Sequence, residues 1–175
     1  MPRPRQVYRG IAKPLPRPPV TMLKAVQLGV AVIGQRRRGL VNVVRRLTRG
    51  RSLGERGEAQ AARWLRRQGC QIVARRCRGQ LGEIDLVAVE GRTVVFVEVK
   101  TRQSQDAGHP GDAVDVPKQR RLTRLAVAYL RKHGLLEYPA RFDVVAVTWP
   151  VQRRKPTIEH FPHAFEAVGY DGLFS

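Results

Sequence analysis

The residues of this sequence that could do chemistry are two acids and a lysine on neighbouring apolar runs. Asp85 lies in the run Glu83–Val89, and Glu98 and Lys100 lie in the run Thr93–Lys100. Carboxylates held close together repel each other unless a cation lies among them, and hard oxygen ligands suit Mg²⁺ or Mn²⁺. A lysine beside such an ion can position a water or neutralise developing phosphate charge. These residue types therefore indicate metal-assisted phosphate chemistry.

The two runs must form a β-hairpin to bring these side chains together. Both have strand composition, and Glu90-Gly91 between them predicts a two-residue turn with Val89 opposite Arg92. Because side chains alternate along a strand, the two acids and the lysine then share one face, with the acids as diagonal neighbours roughly 5.5–8 Å apart at Cβ. A three-residue turn would instead point Asp85 away from Glu98.

The two faces of this hairpin differ in composition. The opposite face is apolar and includes Ile84, Leu86 and Val97, whereas the acid-bearing face mixes the charges with residues such as Val87 and Phe96. This mixture predicts a partly buried site. The alternative is a solvent-exposed strand face on which Glu-Val-Lys is ordinary alternation.

An additional acid comes from an upstream helix, predicted over residues 54–68. Ala61 and Leu65 belong to its apolar stripe, and Gly69 ends it as a C-cap glycine would. Glu58 precedes the stripe by helical spacing, which places its carboxylate on the inward side. The alternative is a first-turn acid that complements the helix dipole.

The remaining pattern predicts one α/β domain over residues 51–175, a mixed sheet with helices on its faces in the order α-β-β-β-α-β-β. Its other predicted parts are a short strand Gln71–Arg75 and a following loop, surrounded by Arg75, Arg76 and Arg78, that ends at Gly79. They also include an open loop Thr101–Gly111, a helix from Pro117 to about Lys132, and strands Arg141–Trp149 and Thr157–Phe161.

Charge sets the amino-terminal third apart from this domain. The chain has 33 Lys and Arg against 14 Asp and Glu, a formal net charge of +19, and no acid precedes Glu55. Residues 1–20 are rich in Pro and Arg and predict an extended, mobile arm. Residues 21–50 predict a basic amphipathic helix that binds nucleic acid or an anionic membrane surface, or else packs on the domain. Met22 as the true start is a further alternative.

The sequence also bears on location. The apolar stretches are far shorter than the about 20 residues that span a bilayer, and no clear signal-peptide cleavage site follows the basic arm. Cys70 and Cys77 cannot form a disulfide framework and lack partners at zinc-site spacing. We therefore predict a cytoplasmic protein without a transmembrane segment, with nucleic acid as its main partner.

A family resemblance agrees with these residues. Asp85, Glu98 and Lys100 resemble the PD-(D/E)xK nuclease signature. The strings that surround them, over residues 54–58, 82–87, 95–102, 118–122 and 141–147, resemble the YraN family of bacterial proteins, whose function is unsettled. The resemblance covers about residues 51–166, and this family is similar in fold to archaeal Holliday junction resolvases and restriction endonucleases.

The resemblance implies a site and an activity. Asp85 and Glu98 would bind Mg²⁺ or Mn²⁺, Lys100 would be the catalytic lysine, and Glu58 would be the additional acid. The reaction would be hydrolysis of DNA phosphodiesters, with branched DNA as a candidate substrate and a homodimer as in resolvases. Flanking phosphates would be held by a set of basic residues, namely Arg75, Arg76, Arg78, Lys118, Arg121 and Arg124. The competing hypotheses are a non-catalytic nucleic-acid-binding protein on a nuclease-like scaffold and a membrane-surface adaptor that uses residues 21–50.

Overall fold

The computed structural model describes residues 52–103, 114–150 and 155–170. The predicted arm, the predicted helix over residues 21–50 and most of the predicted loop Thr101–Gly111 lie outside these residues. The elements are α1 (Leu53–Arg67), β1 (Gln71–Gly79), β2 (Gly82–Glu90), β3 (Thr93–Arg102), α2 (Val116–Lys132), β4 (Ala140–Thr148) and β5 (Thr157–Phe165). Their order confirms the predicted α/β class and element sequence.

One five-stranded mixed sheet organises the described residues. Its strand order is β1-β2-β3-β4-β5, with β3 and β4 parallel and all other neighbours antiparallel. Parallel neighbours require a crossover, and α2 supplies it between β3 and β4. Among the described residues, neither helix combines the length and apolar character that crossing a bilayer requires.

The two helices pack on opposite faces of the sheet. The apolar stripe of α1, Ala61, Ala62 and Leu65, packs in one core cluster with strand residues such as Leu86 and Val97. The inward residues of α2 pack in a second cluster, whose members include Leu122, Ala126, Leu130, Val87, Phe96 and Phe142. A sheet covered on both faces accounts for the nearly continuous burial along β4 and for the buried run of residues 94–97 in β3.

The predicted boundaries of β1 and β5 are wrong. β1 continues past Arg75 through Arg76 and Arg78, where the sequence predicts a loop, and it pairs with β2 as far as Gly79↔Gly82. β1 is an edge strand, so its side chains need not all be buried. Its run of arginines therefore has the sequence pattern of a loop, although its backbone is paired with β2. β5, at the other edge, continues from Phe161 to Phe165.

The predicted hairpin turn is also displaced. Glu90 pairs with Thr93 and Val89 with Val94, so the turn consists of Gly91-Arg92 rather than Glu90-Gly91. Gly91 has φ of 58°, a conformation that glycine adopts without a steric penalty. The register shifts by two residues, which preserves the faces of the paired residues 86–90 and 93–97 but changes which residues lie directly opposite each other.

A buried charged network lies on the sheet at β4 and β5. Asp143 is fully buried and accepts hydrogen bonds from Arg141 Nε and Nη2, at 3.0 and 3.1 Å, and from the backbone N–H of His163 at 3.1 Å. His160 Nε2 lies 2.9 Å from the same carboxylate, and Arg141 also pairs with Glu90. Burial alone would raise the pKa of Asp143, but the hydrogen bonds from His160 and Arg141 hold it below its usual range.

Candidate active site

The candidate site lies where β2 separates from β3. Their last paired residues are Leu86 and Val97, and the next step along each strand reaches Asp85 and Glu98. Asp85 Oδ2 accepts a hydrogen bond of 2.8 Å from the backbone N–H of Val99. The Asp85 carboxylate thus accepts a hydrogen bond from a backbone N–H of β3 just beyond the last β2–β3 pair.

The alternation of side chains in β1 and β2 is interrupted beside this carboxylate. Arg76 and Asp85 lie between the pairs Arg75↔Leu86 and Cys77↔Ile84, and Arg76 has φ of 48°, in the left-handed region. As a result, Ile84 packs in the α2-side cluster, whereas Leu86 packs on the α1 side. The prediction that Ile84 shares a face with Leu86 is therefore wrong.

Asp85 carries an electrostatic penalty in this position. Burial of its carboxylate and then the like charge of Glu98 raise its pKa to about 7 from an ordinary value of 3.8. The hydrogen bond from Val99 N–H and the charge of Lys118 oppose this change, and the charge of Glu58 adds to it. The acids from α1, β2 and β3 therefore lie near enough to influence one another.

Glu98 forms an ion pair with a lysine of α2. Lys118 Nζ forms a salt bridge with Glu98 Oε1, and the Glu98 side chain is only 11% exposed. Asp115, the N-cap of α2, accepts a 2.8 Å hydrogen bond from the backbone N–H of Lys118 and so fixes the start of the helix. The structure thus brings Lys118, predicted to contact flanking phosphates, against a predicted metal ligand.

Glu58 is engaged by an arginine of β1. Arg76 Nε and Nη2 donate to the two carboxylate oxygens of Glu58 at 2.7 and 2.9 Å, and Arg76 Nη1 donates to Glu55 at 2.9 Å. Glu55 also closes the capping box of α1 with Ser52. The guanidinium of Arg76, predicted to contact nucleic acid, is therefore directed at α1, where it fixes Glu58.

Close contact between α1 and β3 brings Glu58 to this end of the sheet. Gly57 is buried, and a Cβ at this position would lie 1.9 Å from Oγ1 and 2.9 Å from Cβ of Thr101. No ordinary side chain fits in that space. Gly57 thus lets the first turns of α1 approach the strand that carries Glu98 and Lys100.

We expect Gly57→Ala to destabilise the protein by about 1–3 kcal/mol, because the new methyl group overpacks a contact that cannot yield. This cost exceeds the roughly 0.5–1 kcal/mol that alanine gains over glycine in a helix. Urea denaturation measures the change, and Gly54→Ala is the matched control, since a Cβ there meets nothing within 4 Å. Equal stability of the two variants would contradict the prediction.

The remaining predicted site residues occupy two places. Lys100 is half-buried on β3, two residues beyond Glu98 and in register with Ala146 of β4. Four predicted phosphate-binding arginines are exposed: Arg75 and Arg78 on β1, where Arg78 pairs with Glu83 at 3.2 Å, and Arg121 and Arg124 on α2. The Arg121 side chain lies beside Gly82 at the end of the β1–β2 hairpin.

The donors present restrict which metal the site could hold. Within residues 52–103, 114–150 and 155–170, no group of three His, Cys, Asp or Glu side chains is arranged to hold a metal ion. Mg²⁺, however, is usually bound through one or two carboxylates, with waters and substrate phosphates as its other ligands. Asp85 and Glu98 supply such a pair of hard oxygen donors, and the raised pKa of Asp85 shows that added positive charge beside it would be favourable. The donor chemistry therefore fits Mg²⁺ or Mn²⁺.

Comparison with known proteins identifies the family. The sequence model of the uncharacterised protein family UPF0102 matches residues 57–147. This span contains the acids and lysines of the candidate site, namely Glu58, Asp85, Glu98, Lys100 and Lys118. The chain belongs to the UPF0102 family. This confirms the resemblance to an uncharacterised bacterial family that the sequence motifs indicated.

Curated UPF0102 proteins from several bacteria are similar to this chain over most of their length. A UPF0102 protein of Rhodopirellula baltica is 49% identical over 125 residues, which cover 70% of this chain and 75% of that protein. One from Geobacter metallireducens is 48% identical over 66% of this chain and 93% of its own length, and one from Symbiobacterium thermophilum is 53% identical over 55% and 82%. The similarity therefore covers the domain that carries the site.

Sequence reasoning missed two contacts in this UPF0102 site, namely the pairing of Lys118 with Glu98 and that of Arg76 with Glu58. Asp115 predicts the start of α2 just before Lys118, but nothing in the sequence indicates which strand the Lys118 side chain contacts. The left-handed conformation of Arg76 left no signal, because glycine and asparagine are the residues that normally indicate it.

Proposed function

We propose that this UPF0102 protein is a divalent-metal-dependent nuclease that hydrolyses phosphodiesters of DNA. The observation that carries the proposal is the pair of carboxylates, Asp85 and Glu98, placed together where β2 and β3 separate. Two acids in one half-buried place cost free energy unless a cation joins them. Such a cost, at a site with exposed arginines around it, favours function over a purely structural role.

Each side chain has a part in this proposal. Asp85 and Glu98 would hold a Mg²⁺ or Mn²⁺ ion, which would polarise a phosphoryl oxygen and lower the pKa of an attacking water. Lys100 would orient that water and compensate negative charge on the phosphate. Glu58, held by Arg76, would accept a hydrogen bond from the same water or from a water of the ion's shell.

The surrounding surface suits a polyanion. Arg78, Arg121 and Arg124 are exposed on the elements that flank the site, and the whole chain has a net charge of +19. Phosphate contacts of this kind position a nucleic acid without reading its sequence. We therefore propose selection by shape, with branched DNA and action as a homodimer in the cytoplasm as the finer parts of the proposal.

A cleavage assay tests the proposal. Labelled duplex, flap and four-way-junction DNA are incubated with the full chain and Mg²⁺ or Mn²⁺, and cleavage is expected that EDTA abolishes. Lys100→Met should lower the rate by about 10²–10⁴-fold, since it removes a group that acts on the proton or the charge of the transition state. Cleavage that survives in this variant would come from a contaminating nuclease and would contradict the proposal.

A second candidate function is non-catalytic binding of nucleic acid. It is favoured by the absence, among the described residues, of three acids arranged around one metal position and by the pairing of Lys118 with Glu98. DNA binding by the wild type and Lys100→Met alike, with no cleavage in any divalent metal, would select this function instead.

A further inference from the structure

Lys118 is the feature of the site that the proposed reaction leaves without a role. Its ammonium group contacts Glu98, an acid of β3, although Lys118 itself lies at the start of α2. The two residues are 20 positions apart in the sequence. The pair therefore depends on how the crossover helix is placed against the sheet.

The backbone of Lys118 is fixed, but its ammonium group can leave. The N-cap Asp115 accepts the backbone N–H of Lys118 at 2.8 Å, which anchors this turn of the helix. The side chain is 32% exposed and has a flexible four-carbon stem, so the amine can rotate into solvent without any change in α2.

The other cation at the site is held differently. Arg76 makes three hydrogen bonds, to both oxygens of Glu58 and to Glu55, with the rigid fork of a guanidinium. Among the described residues, the ammonium of Lys118, a point charge, makes one hydrogen bond, to Glu98. Arg76 therefore holds Glu58 more firmly than Lys118 holds Glu98.

We infer that Lys118 is the resident counter-ion of the metal-binding acids, and that its ammonium occupies the place beside Glu98 that a divalent cation takes. Metal and lysine then compete for one carboxylate, so metal binding releases the lysine. The released amine remains on α2, the helix that carries Arg121 and Arg124, where it can meet a substrate phosphate. This inference rests on the proposed metal-dependent function.

Competition predicts that removing the lysine strengthens metal binding. A metal ion no longer has to break the ion pair or approach a positive charge, so Lys118→Met should bind Mn²⁺ about fivefold more tightly, as expected for an ion pair of moderate strength. A lysine that merely supports the fold predicts unchanged or weaker binding.

Isothermal titration of the full chain with Mn²⁺ at pH 8, without DNA, measures this effect. Lys118→Gln is a second neutral variant and should also bind more tightly, whereas Lys118→Arg, which keeps the charge, should stay within about twofold of wild type. Arg120→Met is the matched control, since it removes an exposed positive charge of the same helix. Thermal melting verifies that each variant is folded.

The outcomes separate this inference from the function on which it rests. If the wild type binds Mn²⁺ and cleaves DNA but both neutral variants bind no more tightly than Arg120→Met, the role of Lys118 is overturned and the nuclease proposal stands. If the wild type and the neutral variants neither bind Mn²⁺ nor cleave DNA, both are overturned. Tighter binding by both neutral variants supports the inference, whether or not their cleavage rates fall.

Discussion

If the proposed function holds, Asp85→Asn is expected to reduce metal-dependent cleavage by about a thousandfold, because it would remove a charged ligand worth several kcal/mol of transition-state stabilisation. The amide oxygen can still accept the Val99 N–H, so the local backbone should not change. Single-turnover cleavage at saturating Mn²⁺ measures the loss. Residual activity within tenfold of wild type would show that Asp85 does not bind the ion.

The same substitution is expected to stabilise the metal-free protein by up to about 4 kcal/mol at pH 8, since each pKa unit corresponds to about 1.4 kcal/mol. The pKa of Asp85 is about 7 in the folded protein and 3.8 in the reference state, so the folded state binds its proton more tightly. The contribution of this group to stability is therefore fully present below pH 4 and is lost as the pH rises through 7. The side-chain amide of the variant does not titrate, so the advantage of the variant should grow over that range.

Urea denaturation between pH 4 and pH 8, in EDTA, follows this difference. Glu137→Gln is the control, because Glu137 is exposed and lies near the other end of β3 from Glu98. Added Mn²⁺ should stabilise the wild type and not Asp85→Asn, since a ligand stabilises only the state that binds it. An advantage of Asp85→Asn that is equal at both ends of the pH range would contradict the electrostatic explanation.

Asp143→Ala is expected to lower the free energy of unfolding by about 3–5 kcal/mol, the usual cost of leaving one member of a buried ion pair alone. The carboxylate is fully buried and joins Arg141 to His160 and to the backbone of His163. Its loss would leave the Arg141 guanidinium with Glu90 as its acidic partner. Urea denaturation at pH 7 measures the change, and a loss below about 1 kcal/mol would contradict the prediction.

A double variant tests the origin of that cost. Arg141→Met with Asp143→Leu removes both charges and leaves apolar side chains in their place, which should recover much of the lost stability. The single substitutions Arg141→Met and Asp143→Leu and the double variant form a cycle that gives the coupling energy of the pair. Additive effects would show that Asp143 acts through its contacts with β5 rather than through Arg141.

Much of the fold follows from the periodicity of the sequence. The helices, β2, β3 and β4 were predicted within about two residues, because each has a clear apolar period that matches its burial. β1 was predicted too short, because an edge strand that carries Arg75, Arg76 and Arg78 lacks such a period. Backbone pairing with β2 stabilises this part of β1, and that pairing cannot be predicted from the types of its side chains.

The site was predictable in its residues and less so in its geometry. Glycine in a two-residue turn allows two frames, since Gly91 can take the second position after Glu90 or the first before Arg92. The second frame is the one observed, and it places Asp85 and Glu98 each one residue beyond the last pair, Leu86↔Val97, rather than in diagonal positions of a continuous ladder. The partners of these acids, Arg76 and Lys118, come from a left-handed residue and a crossover helix, and neither arrangement has a sequence signature.

The hydrogen bond from Val99 to Asp85 provides a spectroscopic probe within the protein itself. The donor is a main-chain amide, so an ¹⁵N-labelled sample reports on this one carboxylate through a single NMR resonance. Proton uptake, ion loading or a neighbouring phosphate would each alter that resonance in a different way. Libraries of candidate molecules could thus be screened against the protein before any of its natural reactants is identified.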